Sequence, residues 1–394
     1  MLTDTYKNML ELLADVMHGS SPDKSLTADW KSLYAEMKAQ AVHGLPAACM
    51  TSLGLSPDDL GDYFNNVVKN RAAFHSLMKD QAKALALLDG AGIDAVVIKG
   101  ASAAANYPQP ENRRMGDIDI LVKNCDYQRA FDVLSAVCSP DYDPDDSRRH
   151  VGLKTDGGHE IELHRRFSDS DNEEQNDYLD ALLEDAIGRR VTVKVSGYDV
   201  PSLPIAENGI VLLSHMNQHL PTGLGLRQII DWMCFVEKHL DDELWEGGFA
   251  EIADKIGMKR LAQVVTAMCQ RYLGLDADIH WCEYEPICDE LMEYILNNGN
   301  FGHKINYTKS ITEGVFRRCR NPISFIAEAQ SRGLINWKAS KKHKWLRPFA
   351  WVYQLGRWAN RGIKRGVDAK MISEANASAK AKNEFLDRLG VTRQ

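Results

Sequence analysis

The sequence predicts an α+β protein in which a small mixed β-sheet lies between helical segments. Three observations carry that reading. Helical periodicity dominates the first ninety residues and ends at Gly90 and Gly92. A cluster of short β-branched runs follows between Asp94 and Ser202, two of them separated by Gly157-Gly158. After Ile205 the apolar spacing turns helical again. The implied limits are 1–90 for a helical segment packing on the core and 91–204 for the sheet domain. A helical carboxy-terminal domain would span 205–394 and include a basic aromatic segment at 334–370.

MLTDTYKNMLELLADV reads as an amphipathic helix, and SLTADWKSLYAEMKAQ as a second, opened by capping residues. A long helix is expected from Asp58 to Leu88. DAVVIKG (94–100) suits a buried strand ending in a tight turn, and GDIDILV (116–122) a second strand. DYQRAFDVLSAV (126–137) returns to helical spacing. HVGLKT (150–155) and HEIELHRRF (159–167) flank the two glycines as a hairpin. RRVTVKV and YDVPSLP form a further β excursion around Ser196-Gly197. Helices are then expected from NGIVLLSHMNQHL, LRQIIDWMCFVEKHL and AEIADKIGMKRLAQVVTAMCQRYL.

Composition excludes several classes. A net charge of −8 disfavours a protein that coats nucleic acid with its whole surface. From Leu334 to Lys370, however, ten Lys or Arg face one acid, Asp368, so that segment is +9 and the remainder −17. Its aromatic residues fit packing of a helical domain, with Lys341, Lys342 and Lys344 solvated. The alternatives are electrostatic help toward a triphosphate or an acidic partner, and binding of single-stranded nucleic acid or an anionic membrane surface. The eight cysteines form no C-x-x-C pair, which fits reduced thiols. With no signal-like start and no transmembrane-length apolar run, a cytoplasmic location is the expectation.

The chemistry concentrates in RRMGDIDILV (113–122). Residues two apart on a strand share a face, so Asp117 and Asp119 stand side by side with Ile118 and Ile120 turned into the core. Unpaired, such carboxylates repel one another. A divalent cation makes the pair favourable, and Mg²⁺ takes carboxylate oxygens together with phosphates. Glu162, in IEL (161–163), offers a third carboxylate; Glu160 is its alternative, and both share a face with His164. Lys99, Gly100 and Ser102 sit at a strand end where ammonium, exposed backbone N–H and hydroxyl groups can hold phosphate oxygens. Sugar-transfer and aspartate-phosphatase motifs place their acids after a hydrophobic strand, whereas these acids open one. On the helices, His215 and His219 are one turn apart without a third zinc ligand in view, and read as pocket residues. Arg227 and Asp231 have the spacing of an ion pair, and Arg227 is also placed to face phosphate or base.

The order Gly-x-Ser, Asp-x-Asp, then a lone acid on a later strand resembles the polymerase β-type nucleotidyltransferase superfamily. KGASAAANYP, RRMGDIDILV, IELHRRF, HMNQHL and LRQIIDW together resemble a poorly characterised bacterial nucleotidyltransferase family. The resemblance implies metal ligation by Asp117, Asp119 and Glu162, and triphosphate holding by Gly100 and Ser102. Ala101 separates that glycine from the serine, where the superfamily has them adjacent. The implied activity moves a nucleoside monophosphate from an NTP to an acceptor hydroxyl with two Mg²⁺, or Mn²⁺ in their place. A small molecule or protein is the expected acceptor in preference to nucleic acid. Two alternatives are a catalytically weak nucleotide- or partner-binding protein on the same fold, and an enzyme acting on RNA ends.

Overall fold

Ser56 accepts a hydrogen bond from the Asp59 backbone N–H and precedes Pro57, and these caps start α3 (Pro57–Gly90), the helix that backs the sheet. A computed structural model describes residues 2–140, 149–167, 172–302, 304, 322–364 and 367–391. Two earlier helices, α1 (Asp4–Met17) and α2 (Trp30–Ala39), precede α3.

Among the described residues, five strands form the main sheet in the order β1-β2-β5-β4-β3. They are β1 (Ala95–Val97), β2 (Asp117–Val122), β3 (Ser139–Pro140), β4 (His150–Lys154) and β5 (Glu160–His164). Only β2 and β5 run parallel. A parallel neighbour needs a crossover, and α5 (Tyr127–Ser135) lies on it. One face buries Ile118, Ile120, Ile161 and Leu163 against Leu77, Ala84 and Leu88 of α3 and Ala130 and Leu134 of α5. Strand alternation therefore turns Asp117, Asp119, Glu162 and His164 to the other face. The α+β class and the small mixed sheet are as the sequence predicts.

The predicted Gly-Gly turn joins β4 to β5, and its first glycine has a specific cause. A Cβ on Gly157 would stand 2.2 Å from Asp80 Oδ2. Asp80, on α3, accepts a hydrogen bond from Thr155 Oγ1 at 2.7 Å and lies 2.8 Å from His159 Nδ1. The long helix thus grips the hairpin that carries Glu162.

Two further layers close the site. The hairpin β6 (Val191–Val195) and β7 (Tyr198–Ser202) packs Val195 and Val200 with Ala101 and Ala104 of α4 (Gly100–Ala104). After α6 (Glu173–Ile187), the helices α7 (Ile205–His219) and α8 (Leu226–His239) are each buried over most of their circumference. The single helix expected over 250–273 is broken into Ala250–Lys255 and Lys259–Leu273, because Gly257 adopts a φ of 70° between them.

The chain divides into two compact units, residues 1–303 with 390–394 and residues 304–389. The limits expected at 90 and 204 fall inside the first, where the helices to either side of the sheet sequence are also found. The described residues of the second are mostly helical, and Pro322–Asn336, Ala350–Lys364 and Ala369–Arg388 are the longest helices among them. Trp337 stacks on Tyr353 at 5.1 Å and Trp358 meets Phe325 at 5.6 Å, so Trp337, Tyr353 and Trp358 of the basic aromatic segment are engaged within the unit. Lys341, Lys342 and Lys344 are exposed. Arg365 and Gly366 of that segment lie outside the described residues. Among the described residues, no helix is long and apolar enough to cross a membrane.

Candidate functional site

Register builds the carboxylate wall. The parallel pairing of β2 with β5 sets Asp119 beside Glu162 and Asp117 beside Glu160. Asp117, Asp119 and Glu162 each offer an oxygen within 4.8 Å of the others. Glu160 is exposed, and Glu162 is the acid that lines the cavity. The cavity measures about 310 Å³, near the lower limit of the ~300–1,000 Å³ usual for small-molecule sites.

Cations brace this wall. Lys99 Nζ lies 2.6 Å from Asp119 Oδ1, with only 12% of its side chain exposed. Its backbone holds a φ of 57°, strain that costs a non-glycine residue about 1–3 kcal/mol and that the buried ion pair helps to offset. His164 Nε2 is 3.0 Å from Asp119 Oδ1 and 3.3 Å from Glu162 Oε2. On the adjacent strand, His150 Nε2 lies 3.8 Å from Glu162 Oε1. His150, Glu162 and His164 also form a set of close donor atoms.

The electrostatics separate the two aspartates. Burial, joined by the charge on Asp119, pushes the Asp117 carboxyl up to about 6. Burial would raise Asp119 too, but the Lys99 ammonium and His164 hold it far below the usual carboxylate range. Burial disfavours a charged His164, yet its hydrogen bonds to Asp119 and Glu162 keep its pKa above the ordinary histidine value. Glu162 is held low by the same imidazole, against its burial. Asp117 is thus the member of the trio that most lacks a counter-charge, as expected of a wall suited to a divalent cation.

Helices and a loop make the opposite wall. His215 and His219 both line the cavity, with ring centroids 4.6 Å apart. Burial, then the Lys99 charge, holds His215 well below the ordinary value and brings His219 down to about 4, so both imidazoles are neutral near pH 7. Arg227 also lines the cavity, beside Phe301. The expected Arg227–Asp231 pair is not formed. Asp231 instead takes Arg113, with Nε at 2.6 Å and Nη2 at 2.7 Å, and accepts a hydrogen bond from the Tyr107 hydroxyl at 2.7 Å. Burial, then the Arg113 charge, lowers the pKa of Arg227.

The structure brings Lys99, Gly100, Asp117, Asp119, Glu162, His215, His219 and Arg227 to one cavity. Ser102 is not among them. The chain turns from Gly100 straight into α4, and Ser102 is buried with its hydroxyl 2.5 Å from Ser202 Oγ and 3.1 Å from Asn208 Oδ1. Arg113, Arg149 and His150 line the cavity without having been singled out in the sequence. Alternation along HVGLK marks His150, since it shares a face with Gly152 opposite Glu162. No local pattern marks Arg113, whose carboxylate partner lies 118 residues away.

A sheet-borne trio of carboxylates facing buried cations is a site suited to divalent-metal and phosphate chemistry. The model of an uncharacterised nucleotidyltransferase family matches residues 27–274, and the chain belongs to that family. A nucleotidyltransferase-like antigenic protein from Paracoccidioides brasiliensis is similar at 15% identity, over 46% of this chain and 88% of its own. The TM-score between the two is 0.29, too low to establish a shared architecture. No curated protein matches the chain.

Proposed function

We propose that the protein transfers a nucleoside monophosphate from an NTP to an acceptor hydroxyl and releases pyrophosphate. The observation that carries this reading is the convergence of Asp117, Asp119 and Glu162 through the β2–β5 register. Those three would hold a divalent cation, Mg²⁺ or Mn²⁺. Their donor set fits it, being all carboxylate oxygens within 4.8 Å. A cation bound there lowers the pKa of a hydroxyl and offsets negative charge on phosphoryl oxygens.

The chain's own groups do the rest. Gly100, without a side chain, lets the triphosphate approach the backbone, and Lys99 is drawn to its phosphates by charge. Bond formation joins the acceptor oxygen to the α-phosphorus as the bond to the bridging oxygen breaks. The electron pair leaves with pyrophosphate, and the hydroxyl proton passes toward the carboxylate wall. Neutral His215 and His219 offer hydrogen bonds to base or acceptor without adding charge. Positioning and electrostatic stabilisation supply most of the rate. A small-molecule or protein acceptor suits a chain of net charge −8 better than a nucleic-acid end does.

Incubation with labelled NTPs and Mg²⁺ tests the reading. The expected result is pyrophosphate release and label on an acceptor, abolished by EDTA and by Asp117→Asn. Full activity in Asp117→Asn rules it out. A second reading, nucleotide binding with little turnover, is favoured by the inward Ser102 and by the hold of Lys99 and His164 on Asp119. NTP binding with no pyrophosphate release under any acceptor tested selects it.

A further inference from the structure

Two guanidinium groups on the helical wall have more donors than acceptors. Asp231 takes one edge of Arg113 through Nε and Nη2, and the Tyr107 hydroxyl fixes that carboxylate in turn. The Arg113 side chain is 3% exposed and lines the cavity, and its buried Nη1 has no hydrogen-bond acceptor among the described residues. Arg227 donates from Nη1 to the Arg114 carbonyl at 3.0 Å, while its buried Nε likewise has none. Buried donors are usually satisfied, and two unmet ones on residues that line the same cavity point to an acceptor that an entering anion would supply.

Charge narrows what that acceptor is. Lys99, Arg113, Arg149 and Arg227 line the cavity against three carboxylates. With Asp231 answering Arg113, the remaining charges on the lining nearly balance, and a divalent cation on the carboxylates would turn that balance positive, which favours an anion. A guanidinium edge presents paired N–H groups that match two oxygens of one phosphate. Meanwhile the Ser102 hydroxyl is engaged by Ser202 and Asn208, away from the cavity.

We propose that Arg113 and Arg227 form an oxyanion clamp for the phosphate tail of the triphosphate, in the role the family resemblance gives to Ser102. Asp231 and Tyr107 are positioning residues that aim the Arg113 fork. The identity of the anion rests on the transferase reading; the presence of an anion site does not.

Inorganic tripolyphosphate tests the clamp without a base to recognise. Its affinity is measured by isothermal titration calorimetry on the full chain, in EDTA and in Mg²⁺, with circular dichroism to verify folding. Arg227→Gln is expected to weaken binding at least tenfold in EDTA as well as in Mg²⁺. Arg113→Lys keeps the charge but loses the fork, and is expected to weaken it about fivefold or more. If Arg113→Lys does not fold, Arg227→Gln decides alone. Wild-type affinity in the folded variants, or no tripolyphosphate binding by the wild type, overturns the clamp. Weakened binding in the variants without pyrophosphate release by the wild type leaves the clamp standing and removes only the transferase reading.

Discussion

The cavity has two walls built on different principles. Its strand wall places Asp117, Asp119 and Glu162 through a period of two and one parallel register. Its helical wall gathers Arg113, His215, His219 and Arg227 from a loop and two helices, held by pairings such as Arg113–Asp231 that span 118 residues. On the first wall Lys99 and His164 answer Asp119, and Asp117 is the carboxylate least compensated by charge. Guanidiniums on the second have donors, Arg113 Nη1 and Arg227 Nε, that no group among the described residues accepts. Each wall is incomplete by itself, and a metal–triphosphate complex would satisfy both.

The largest effect that distinguishes the walls is expected within the strand wall itself. Asp117→Asn and Asp119→Asn should each reduce transfer by about 10³-fold or more, read as pyrophosphate release. Their stabilities should diverge. Asp119→Asn leaves the buried Lys99 without its counter-charge, a loss of about 3–5 kcal/mol in urea unfolding. Asp117→Asn removes a carboxylate that burial and Asp119 already disfavour, so the metal-free protein should be as stable as wild type or more so. Equal destabilisation by both would mean that the two aspartates are held alike.

On the helical wall, Asp231→Asn strands the Arg113 guanidinium in the interior. Urea unfolding should show a loss of about 3–5 kcal/mol, and an unchanged midpoint would break the comparison. A smaller effect is expected at the grip of α3 on the β4–β5 hairpin. Asp80→Asn should lose about 1–3 kcal/mol in the same assay. Burial would raise the Asp80 carboxyl, but hydrogen bonds from His159 and Thr155 hold it below its ordinary value. Its contribution is therefore present above the unfolded carboxylate pKa of about 4 and is lost as pH falls through the lower folded value. Asp80→Asn should flatten the acid limb of the pH–stability curve. The smallest effect belongs outside the cavity: alanine at exposed Lys341, Lys342 and Lys344 should change stability by less than about 0.5 kcal/mol and leave transfer intact.

The same contrast between walls separates what is legible in the sequence from what is not. Alternation in DIDILV and EIELH is local, so the strands and the face bearing the acids are visible in one dimension. Gly157-Gly158 marks the turn that brings Glu162 back along the sheet, although the grip of Asp80 behind it is hidden. Ser102 resembles a phosphate contact because the local Gly-x-Ser order does not reveal which way a short helix rotates its hydroxyl. In the fold, Ser202 and Asn208, about 100 residues away, take it. Arg227 and Asp231 have ideal spacing for each other, and a distant arginine displaces that local pairing. Local periodicity can be read along the chain, and competition between distant partners cannot.

The strand wall is tested most directly by crystals grown with Mn²⁺ and a non-hydrolysable NTP. An anomalous difference peak bounded by Asp117, Asp119 and Glu162 is expected, with triphosphate density reaching from it into the cavity. A Mn²⁺ peak elsewhere in nucleotide-bound crystals, with Lys99 still closed on Asp119, would contradict the metal site.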